Sequence, residues 1–327
     1  MLKAVAAAVV LGPPGLSRRG LADGCRGWGK VLEIPAAADT ARLVAEKVRA
    51  PPPLRRFVAC PELARRVASR LGNGRGSDWE EALLVECEPD GRLEVVHCDF
   101  FRLDPMNSGS MKSPVMYSEK LFENLGIPAT AWTAGVPLKV VGIVPQKRER
   151  NILWKLIYSL YERSSIYKYG RIELNLFVSE KEYKTLVAKP EEIRIYQALS
   201  VLWQTACDIQ LLHMLLQNDH LCLVRMTPRK DLFTDNLTTV NSNIFIVMVK
   251  QCLAKGKTKL IDKLNLWSCE SGKKLLRQLE IPENITTGSL YPEQYRCLFE
   301  LMEQSNEFDQ SWLYDDDCLE DNMGINI

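Results

Sequence analysis

The sequence predicts an α/β protein in which a sheet with buried parallel strands, similar to a doubly wound sheet but with a segment missing, is followed by a small helical domain. Two short runs rich in β-branched residues carry this prediction, Leu93–Phe101 (LEVVHCDFF) and Pro137–Gln146 (PLKVVGIVPQ). Such runs are typical of strands buried on both faces. The first ends at an acid, Asp99, and the second at a Gly-Ile-Val-Pro turn. Ligands of doubly wound sheets bind at these carboxyl ends, but the expected glycine-rich loop is missing.

Composition is that of an ordinary globular protein with room for two domains. The chain has 327 residues, a net charge of +1, ten cysteines without a CxxC pair, and three histidines far apart in sequence. Scattered cysteines favour a reducing compartment over a disulfide framework, and the histidine spacing suggests no zinc site. Since no apolar run approaches the length of a bilayer span, we expect no membrane partner.

Residues 1–50 are predicted to be a targeting segment and linker. Residues 1–30 contain five basic side chains and a single acid, and an arginine-rich, acid-poor leader is typical of mitochondrial presequences. A secretory signal is the competing interpretation, because Lys3 precedes the short apolar run Ala4–Leu11. A disordered leader is the third.

The pattern of apolar residues divides the rest of the chain into an α/β domain, 51–228, and a helical domain with an acidic tail, 229–327. Residues Asp104–Ala131 are predicted to be irregular, and the five residues Glu88–Arg92 can only close a hairpin. Predicted strands are Ala82–Cys87, Leu93–Cys98, Pro137–Ile143, Arg171–Val178 and the hairpin arms Ile209–Met214 and Leu221–Met226. Predicted helices are Phe57–Leu71, Asn151–Arg163, Glu191–Ala206, Asn241–Ala254, Lys257–Leu279 and Pro292–Gln304.

Several blocks in the range 57–314 carry a family resemblance. They read FVACPELARRV, LLVEC, VVHCDFFRLDP, WTAGVPLKVVGIVP, SIYKYGRIELNLFVSEKEY, ALSVLWQTACDI and RMTPRKDLFTDNLT. In this order they resemble the mitochondrial transcription factor B branch of the rRNA adenine N6-dimethyltransferase family, most closely its second paralogue. The resemblance implies a Rossmann-like methyltransferase domain, a C-terminal helical domain and S-adenosylmethionine as cofactor.

The chain departs from this family where the cofactor would bind. After the segment Leu83–Cys87 the family has a glycine-rich loop, a helix and a second strand ending in an acid, whereas this chain continues at Glu88. A second gap lies between Met214 and Leu223. Both suggest deletion of whole segments. The remaining cofactor contacts that the resemblance implies are Asp99, to the adenine amine, and the backbone at Val58. A turn cap and a core side chain, respectively, are the ordinary alternatives.

The resemblance also locates the turn that would hold a target adenine. Active relatives use an Asn-Leu-Pro-aromatic turn, in which the Asn accepts from the adenine amine and the aromatic ring stacks on a flipped base. The matching positions here are Gly142, Ile143 or Val144, Pro145 and Gln146. Glycine has no acceptor side chain and glutamine has no ring. We therefore expect Gly142 and Pro145 to mark a vestigial turn and assign no catalytic residue.

Clusters of basic residues predict contact with nucleic acid. They fall after the Gly-Ile-Val-Pro turn, at the domain boundary and within the helical domain, at Lys147, Arg148, Arg150, Arg229, Lys230, Lys255, Lys257 and Lys259. A one-sided basic surface fits phosphate binding, and a solvated helix face is the alternative. Tyr167 and Tyr169 could stack on unpaired bases or belong to the core.

Three functional hypotheses follow from the resemblance. The first is a transcription initiation factor of the mitochondrial matrix nucleoid that assists mitochondrial RNA polymerase in melting promoter DNA. The second is an S-adenosylmethionine-dependent rRNA adenine dimethyltransferase acting on mitochondrial small-subunit rRNA. The third is an inactive truncated isoform. The missing loop favours the first hypothesis, with methyl transfer lost.

Overall fold

The computed structural model of the protein describes residues 8–11, 100–104, 117–124, 127–144, 146–215, 221–267 and 271–305. The chain forms two compact units. The first comprises Met1–Ser159, Arg163–Glu180 and Ile209–Pro228, and the second comprises Leu160–Glu162, Lys181–Asp208 and Arg229–Ile327. A mixed sheet is the centre of the first unit, and the second is helical in its described part. The α/β class predicted from the sequence is confirmed.

A five-stranded sheet of order β1-β2-β3-β5-β4 organises the first unit. β2 and β3 are parallel, with Lys139 opposite Glu173 and Ile143 opposite Phe177. β5 is antiparallel to β3, and β1 is antiparallel to β2. The strands are β1 Ala8–Leu11, β2 Lys139–Ile143, β3 Glu173–Ser179, β4 Cys207–Leu215 and β5 Leu221–Pro228.

In the described part of the first unit two helices accompany this sheet, α1 Ser118–Asn124 and α2 Glu149–Tyr161. A parallel pair of strands needs a long crossover connection, and α2 is the helix that connects β2 to β3. Its apolar residues recur at helical spacing and are buried, as the sequence predicts: Ile152, Leu153, Leu156, Ile157, Leu160 and Tyr161. The sequence of Arg171–Val178 alternates as in a strand with one exposed face, but in β3 every residue from Glu173 to Val178 is buried, so this strand is covered on both faces.

The prediction of an irregular segment over Asp104–Ala131 is wrong where α1 forms. The backbone N–H of Ser118 donates to Oδ1 of Asp104 at 2.9 Å, and the Ser118 hydroxyl donates to the same oxygen at 3.2 Å. An acceptor 14 residues away in sequence thus satisfies the start of the helix. The residues next to Ser118 in sequence give no indication of this partner.

Six helices occupy the described part of the second unit. Three aromatic side chains pack together in its core, one of them from the last residue of α2, which belongs to this unit. The ring of Phe245 lies 5.8 Å from that of Tyr161 and 5.3 Å from that of Phe299. The Tyr161 hydroxyl donates to the carbonyl of Leu202 at 3.1 Å. The helices are α3 Glu180–Leu186, α4 Ala198–Ala206, α5 Ser242–Ala254, α6 Leu260–Trp267, α7 Ser271–Gln278 and α8 Pro292–Ser305.

Two helices predicted in this unit are shorter than the sequence suggests. The helix expected over Glu191–Ala206 begins only at Ala198, because Oγ of Ser200 accepts from the backbone N–H of Gln197 and so caps the helix there. The helix expected over Lys257–Leu279 divides into α6 and α7, and its first residues form a turn and an isolated β-bridge between Lys259 and Thr286. The predicted helices at α5 and α8 are confirmed.

Several predictions lie outside the described residues. These are the helix Phe57–Leu71, the strands Ala82–Cys87 and Leu93–Cys98, and the residues Val58, Asp99 and Pro145. Ala8–Leu11, within the predicted targeting segment, forms β1. In the described ranges no helix has the length and apolar character needed to cross a membrane. The same ranges contain no cluster of His, Cys, Asp and Glu suited to a metal ion.

Gly170 occupies a backbone conformation that other residues rarely adopt. Its φ is 120° and its ψ is −163°. A Cβ at this position would lie 2.3 Å from Oγ1 of Thr130 and 3.1 Å from Cγ of Pro137. The same threonine donates to the carbonyl of Tyr169 from both its N–H, at 3.2 Å, and its hydroxyl, at 3.0 Å. Glycine is therefore required where the chain enters β3.

We predict that Gly170→Ala destabilises the protein by about 1–3 kcal/mol, because alanine is strained at this φ and collides with Thr130. Gly135→Ala is the control, since a Cβ there meets no atom within 4 Å, and we expect it to change stability by less than about 0.5 kcal/mol. Urea unfolding of the two variants measures both values. Equal midpoints for the two variants would contradict the assignment.

Candidate nucleic-acid interface

Two of the residues that match the target-adenine turn, Gly142 and Ile143, lie within a strand. Gly142 is buried in β2, opposite Leu176 of β3 and Ala8 of β1. The backbone N–H of Val144 donates to the carbonyl of Phe177 at 3.0 Å, which continues the pairing beyond the strand. Residues 142–144 therefore form no turn. The position that should supply a side-chain acceptor for adenine is a buried glycine in a paired strand.

A buried carboxylate lies at the carboxyl ends of β2 and β3. Glu149 opens α2 directly after the 3₁₀ turn Gln146–Arg148 and is only 5% exposed. Its two oxygens accept from Ser179, one from the backbone N–H at 2.6 Å and the other from the hydroxyl at 2.7 Å. Ser179 is the last residue of β3. This contact connects the first residue of α2 to the last residue of β3.

Two of the predicted cations are exposed at this edge of the sheet. Lys147 and Arg148 belong to the 3₁₀ turn, in which no residue is buried. Arg150 follows in the first turn of α2 and is partly buried. The carboxyl ends of parallel strands are where ligands of such sheets bind, so Lys147 and Arg148 stand where an anionic ligand would approach.

The segment after Asp99 is packed against α2 and uses its own polar groups. Nζ of Lys155 donates to the carbonyl of Phe101 at 3.3 Å and also to that of Leu103. Asp104 has a positive φ of 58° and accepts from Ser118 and from the hydroxyl of Ser165. Phe101 and Leu103 are buried. The segment therefore has a structural role in the first unit.

In the described part of the first unit, the acids that follow predicted strand ends are not free to hold the ribose of S-adenosylmethionine. Sheets of this type hold a cofactor ribose with an acidic side chain. The two acids that follow predicted strand ends, Asp104 and Glu149, are each satisfied by serine partners. Asp99 and Val58 lie outside the described residues. The part of the site that the structure describes therefore does not fit the cofactor.

In the second unit, four predicted cations are exposed. Lys230 follows β5, and three further lysines lie in the connection between α5 and α6, at Lys255, Lys257 and Lys259. We call residues 255–259 the lysine loop. Lys250, by contrast, lies in α5 and is half-buried, and this burial lowers its pKa. The lysine loop is thus a dense group of exposed positive charge among the described residues of this unit, as are Lys273, Lys274 and Arg277 in α7.

Arg229 is engaged in ion pairs. Its Nε lies 3.4 Å from Oδ1 of Asp208 and its Nη1 lies 3.9 Å from Oε2 of Glu293. The neighbouring Arg225, in β5, has its Nε 3.6 Å from Oε1 of the buried Glu173. Both arginines therefore compensate acids of their own unit, and Arg229 is a weaker candidate for phosphate contact than its sequence context suggests.

Tyr167 and Tyr169 belong to the core. Tyr167 is fully buried and Tyr169 is 9% exposed, with its ring stacked on Phe122 at a centroid distance of 4.0 Å. The suggestion that these rings stack on unpaired bases is wrong, and the core alternative is confirmed. Lys168 between them is exposed and lies 3.2 Å from Glu119.

Sequence reasoning overlooked two polar side chains that shape the site. The signal for Glu149 was present, since acids are favoured in the first turn of a helix. The signal for Asp104 was the Asp-Pro dipeptide, which is typical of turns. Neither pattern identifies the serine partner, because that partner comes from a distant part of the chain.

Comparison with known proteins agrees with this fold. The family model "Ribosomal RNA adenine dimethylase" matches residues 81–304. Proteins named "Dimethyladenosine transferase 2, mitochondrial" are 42% identical in Mus musculus, over 74% of this chain and 68% of the relative, and 36% identical in Bos taurus, over 90% and 89%. The Homo sapiens protein of the same name is 42% identical over 71% of this chain and 64% of its own length.

The bovine comparison extends over 353 positions, more than the 327 residues of this chain. The relative therefore has internal residues without a counterpart here. The family model covers well over half of the chain, and the mouse and bovine relatives exceed 30% identity over more than two thirds of it. This chain belongs to the ribosomal RNA adenine dimethylase family.

Proposed function

We propose that this chain is a mitochondrial transcription initiation factor built on an rRNA adenine dimethylase scaffold. In this role it assists mitochondrial RNA polymerase by holding melted promoter DNA, in the matrix nucleoid, and uses charge rather than catalysis. The observation that carries the proposal is at the end of β2. There a buried, paired Gly142 takes the place of an adenine-binding side chain, while Lys147 and Arg148 next to it are exposed.

The exposed cations of each unit supply the chemistry for binding a nucleic-acid backbone. A protein that neutralises phosphates with Lys and Arg releases counterions, and this release dominates binding that does not depend on sequence. Lys147 and Arg148 provide such charges in the first unit, and Lys230 with the lysine loop provides them in the second.

An rRNA adenine dimethyltransferase activity is the second candidate, favoured by the names of the relatives. In that case the nucleic-acid partner is mitochondrial small-subunit rRNA and the cofactor is S-adenosylmethionine. The occupied carboxylates of Glu149 and Asp104 and the missing glycine-rich loop weigh against it. Calorimetric titration with S-adenosylmethionine separates the two, because saturable binding would favour the enzyme and its absence the initiation factor.

An inactive truncated isoform is the third candidate, and it makes a different physical prediction. A chain that lacks essential segments should not unfold cooperatively. A single sharp thermal transition monitored by circular dichroism would argue against this candidate, and a broad, non-cooperative melt would favour it.

We predict that Lys257→Glu combined with Lys259→Glu weakens binding to duplex DNA and flattens its salt dependence. Each lost phosphate contact lowers the slope of log K against log salt by about 0.9, so the double variant should lose about 1.8 in slope. Lys181→Glu in α3, an exposed lysine of the same unit, is the control. Fluorescence anisotropy at several salt concentrations measures the slopes, and an unchanged slope in the double variant would count against the lysine loop.

We also predict that the chain opens promoter DNA only together with the polymerase. A promoter duplex labelled with 2-aminopurine at the start site should brighten when polymerase and wild-type chain are both present, because unstacking removes the quenching of this base. The Lys257→Glu, Lys259→Glu variant should brighten it less. Equal fluorescence with polymerase alone and with both proteins would contradict the proposed function.

A further inference from the structure

The lysine loop of the second unit is held by its main chain. The N–H of Thr258 donates to the carbonyl of Lys255 at 2.9 Å, so the loop contains a tight turn. The loop then pairs with the segment Ile285–Gly288, which precedes α8. Two backbone hydrogen bonds connect them: the N–H of Thr287 donates to the carbonyl of Thr258 at 2.8 Å, and the N–H of Gly288 donates to that of Gly256 at 2.7 Å. Directly after the loop, the N–H of Leu260 donates to the carbonyl of Ile285 at 2.9 Å.

A contact between two glycines sets how closely these segments approach. A Cβ on Gly288 would lie 2.7 Å from the carbonyl oxygen of Gly256 and 3.3 Å from its carbonyl carbon and its Cα. All three atoms are backbone, so the loop itself would have to move. The reverse substitution is much milder, because a Cβ on Gly256 would lie 3.4 Å from Cα of Gly288 and 3.7 Å from its nitrogen.

The segment opposite the loop is anchored in the core. Thr287 is fully buried, and its carbonyl accepts from the hydroxyl of Tyr295 in α8 at 2.5 Å. Tyr295 is also fully buried, and this burial raises the pKa of its hydroxyl well above the ordinary value. The phenol therefore stays protonated and keeps donating. If a Cβ on Gly288 forces the two segments apart, we therefore expect the exposed lysine loop to move rather than the buried segment Ile285–Gly288.

We propose that Gly288 is a positioning residue for the lysine loop, and that its missing side chain fixes the arrangement in which the three lysines meet consecutive phosphates of a nucleic-acid backbone. This inference rests on the proposed function. A backbone held in its bound arrangement loses less conformational entropy on binding than a mobile one does. Lysine side chains are flexible. The smaller loss of entropy must therefore come from the backbone that carries Lys255, Lys257 and Lys259.

The test compares Gly288→Ala with Gly135→Ala, the same change at a glycine outside the lysine loop where a Cβ would meet no atom within 4 Å. Anisotropy titrations of a random-sequence DNA duplex at several salt concentrations give the slope of log K against log salt. We expect Gly288→Ala to lose between about 0.9 and 1.8 in slope, equivalent to one or two phosphates, and Gly135→Ala to match wild type. Equal slopes in the two variants would overturn the proposal.

The failure of this inference can be told apart from failure of the proposed function. If Lys257→Glu with Lys259→Glu leaves binding intact, the lysine loop binds no phosphate and both proposals fail. If that variant loses binding while Gly288→Ala keeps the wild-type slope, only the positioning role is overturned.

A second measurement applies if Gly288→Ala does not fold, as judged by circular dichroism. Hydrogen exchange of the wild-type chain then reports the amides of Leu260, Thr287 and Gly288 with and without duplex DNA. Protection that is already complete in the free protein supports a loop positioned in advance. Protection that appears only with DNA would overturn it.

Discussion

The parallel pairing of β2 with β3 is the constraint on which the first unit depends. Two adjacent parallel strands require a crossover, which α2 provides, and the first residue of that helix then lies beside the last residue of β3. The buried Glu149 accepts two hydrogen bonds from Ser179 at this point. A buried carboxylate without partners is strongly unfavourable, so this contact selects one arrangement of helix and strand and fixes the edge where Lys147 and Arg148 are exposed.

This arrangement explains how the scaffold of a methyltransferase family can be kept while its chemistry changes. The pairing of β2 with β3 needs only a backbone at position 142, and glycine satisfies it. An adenine-binding site needs in addition a side-chain acceptor and a ring, which neither Gly142 nor Gln146 provides. Loss of those groups leaves the sheet intact. In the proposed function, exposed cations outside the paired strands bind phosphates without using residues 142–146.

The sequence predicted the elements whose stability comes from their own pattern of apolar residues. α2, β3, α5 and α8 have regular periodicity and were found within a few residues of their predicted limits. The prediction was wrong where a distant partner decides the structure. α1 forms because Asp104 accepts from Ser118, and the helical pattern of Lys257–Leu279 gives way to a turn whose backbone bonds go to residues 285–288.

The same distinction applies to the candidate site. The exposure of Lys255, Lys257 and Lys259 agrees with their density of charge in sequence, whereas the pairing of Arg229 with Asp208 and Glu293 needed the fold to be known. Tyr167 and Tyr169 were ambiguous because an aromatic residue beside a lysine fits both a core and a stacking surface. The role of Gly288 has no local signal, since it depends on a carbonyl 32 residues earlier in the chain.

The measurement that most directly tests the central claim is run-off transcription by mitochondrial RNA polymerase on one promoter in two forms, duplex and pre-melted. If the chain is a melting factor, it stimulates transcription from the duplex template. It is dispensable on the pre-melted template, because the base pairs at the start site are already open there. If it stimulates neither template, the internal deletions have removed the function and the central claim is contradicted.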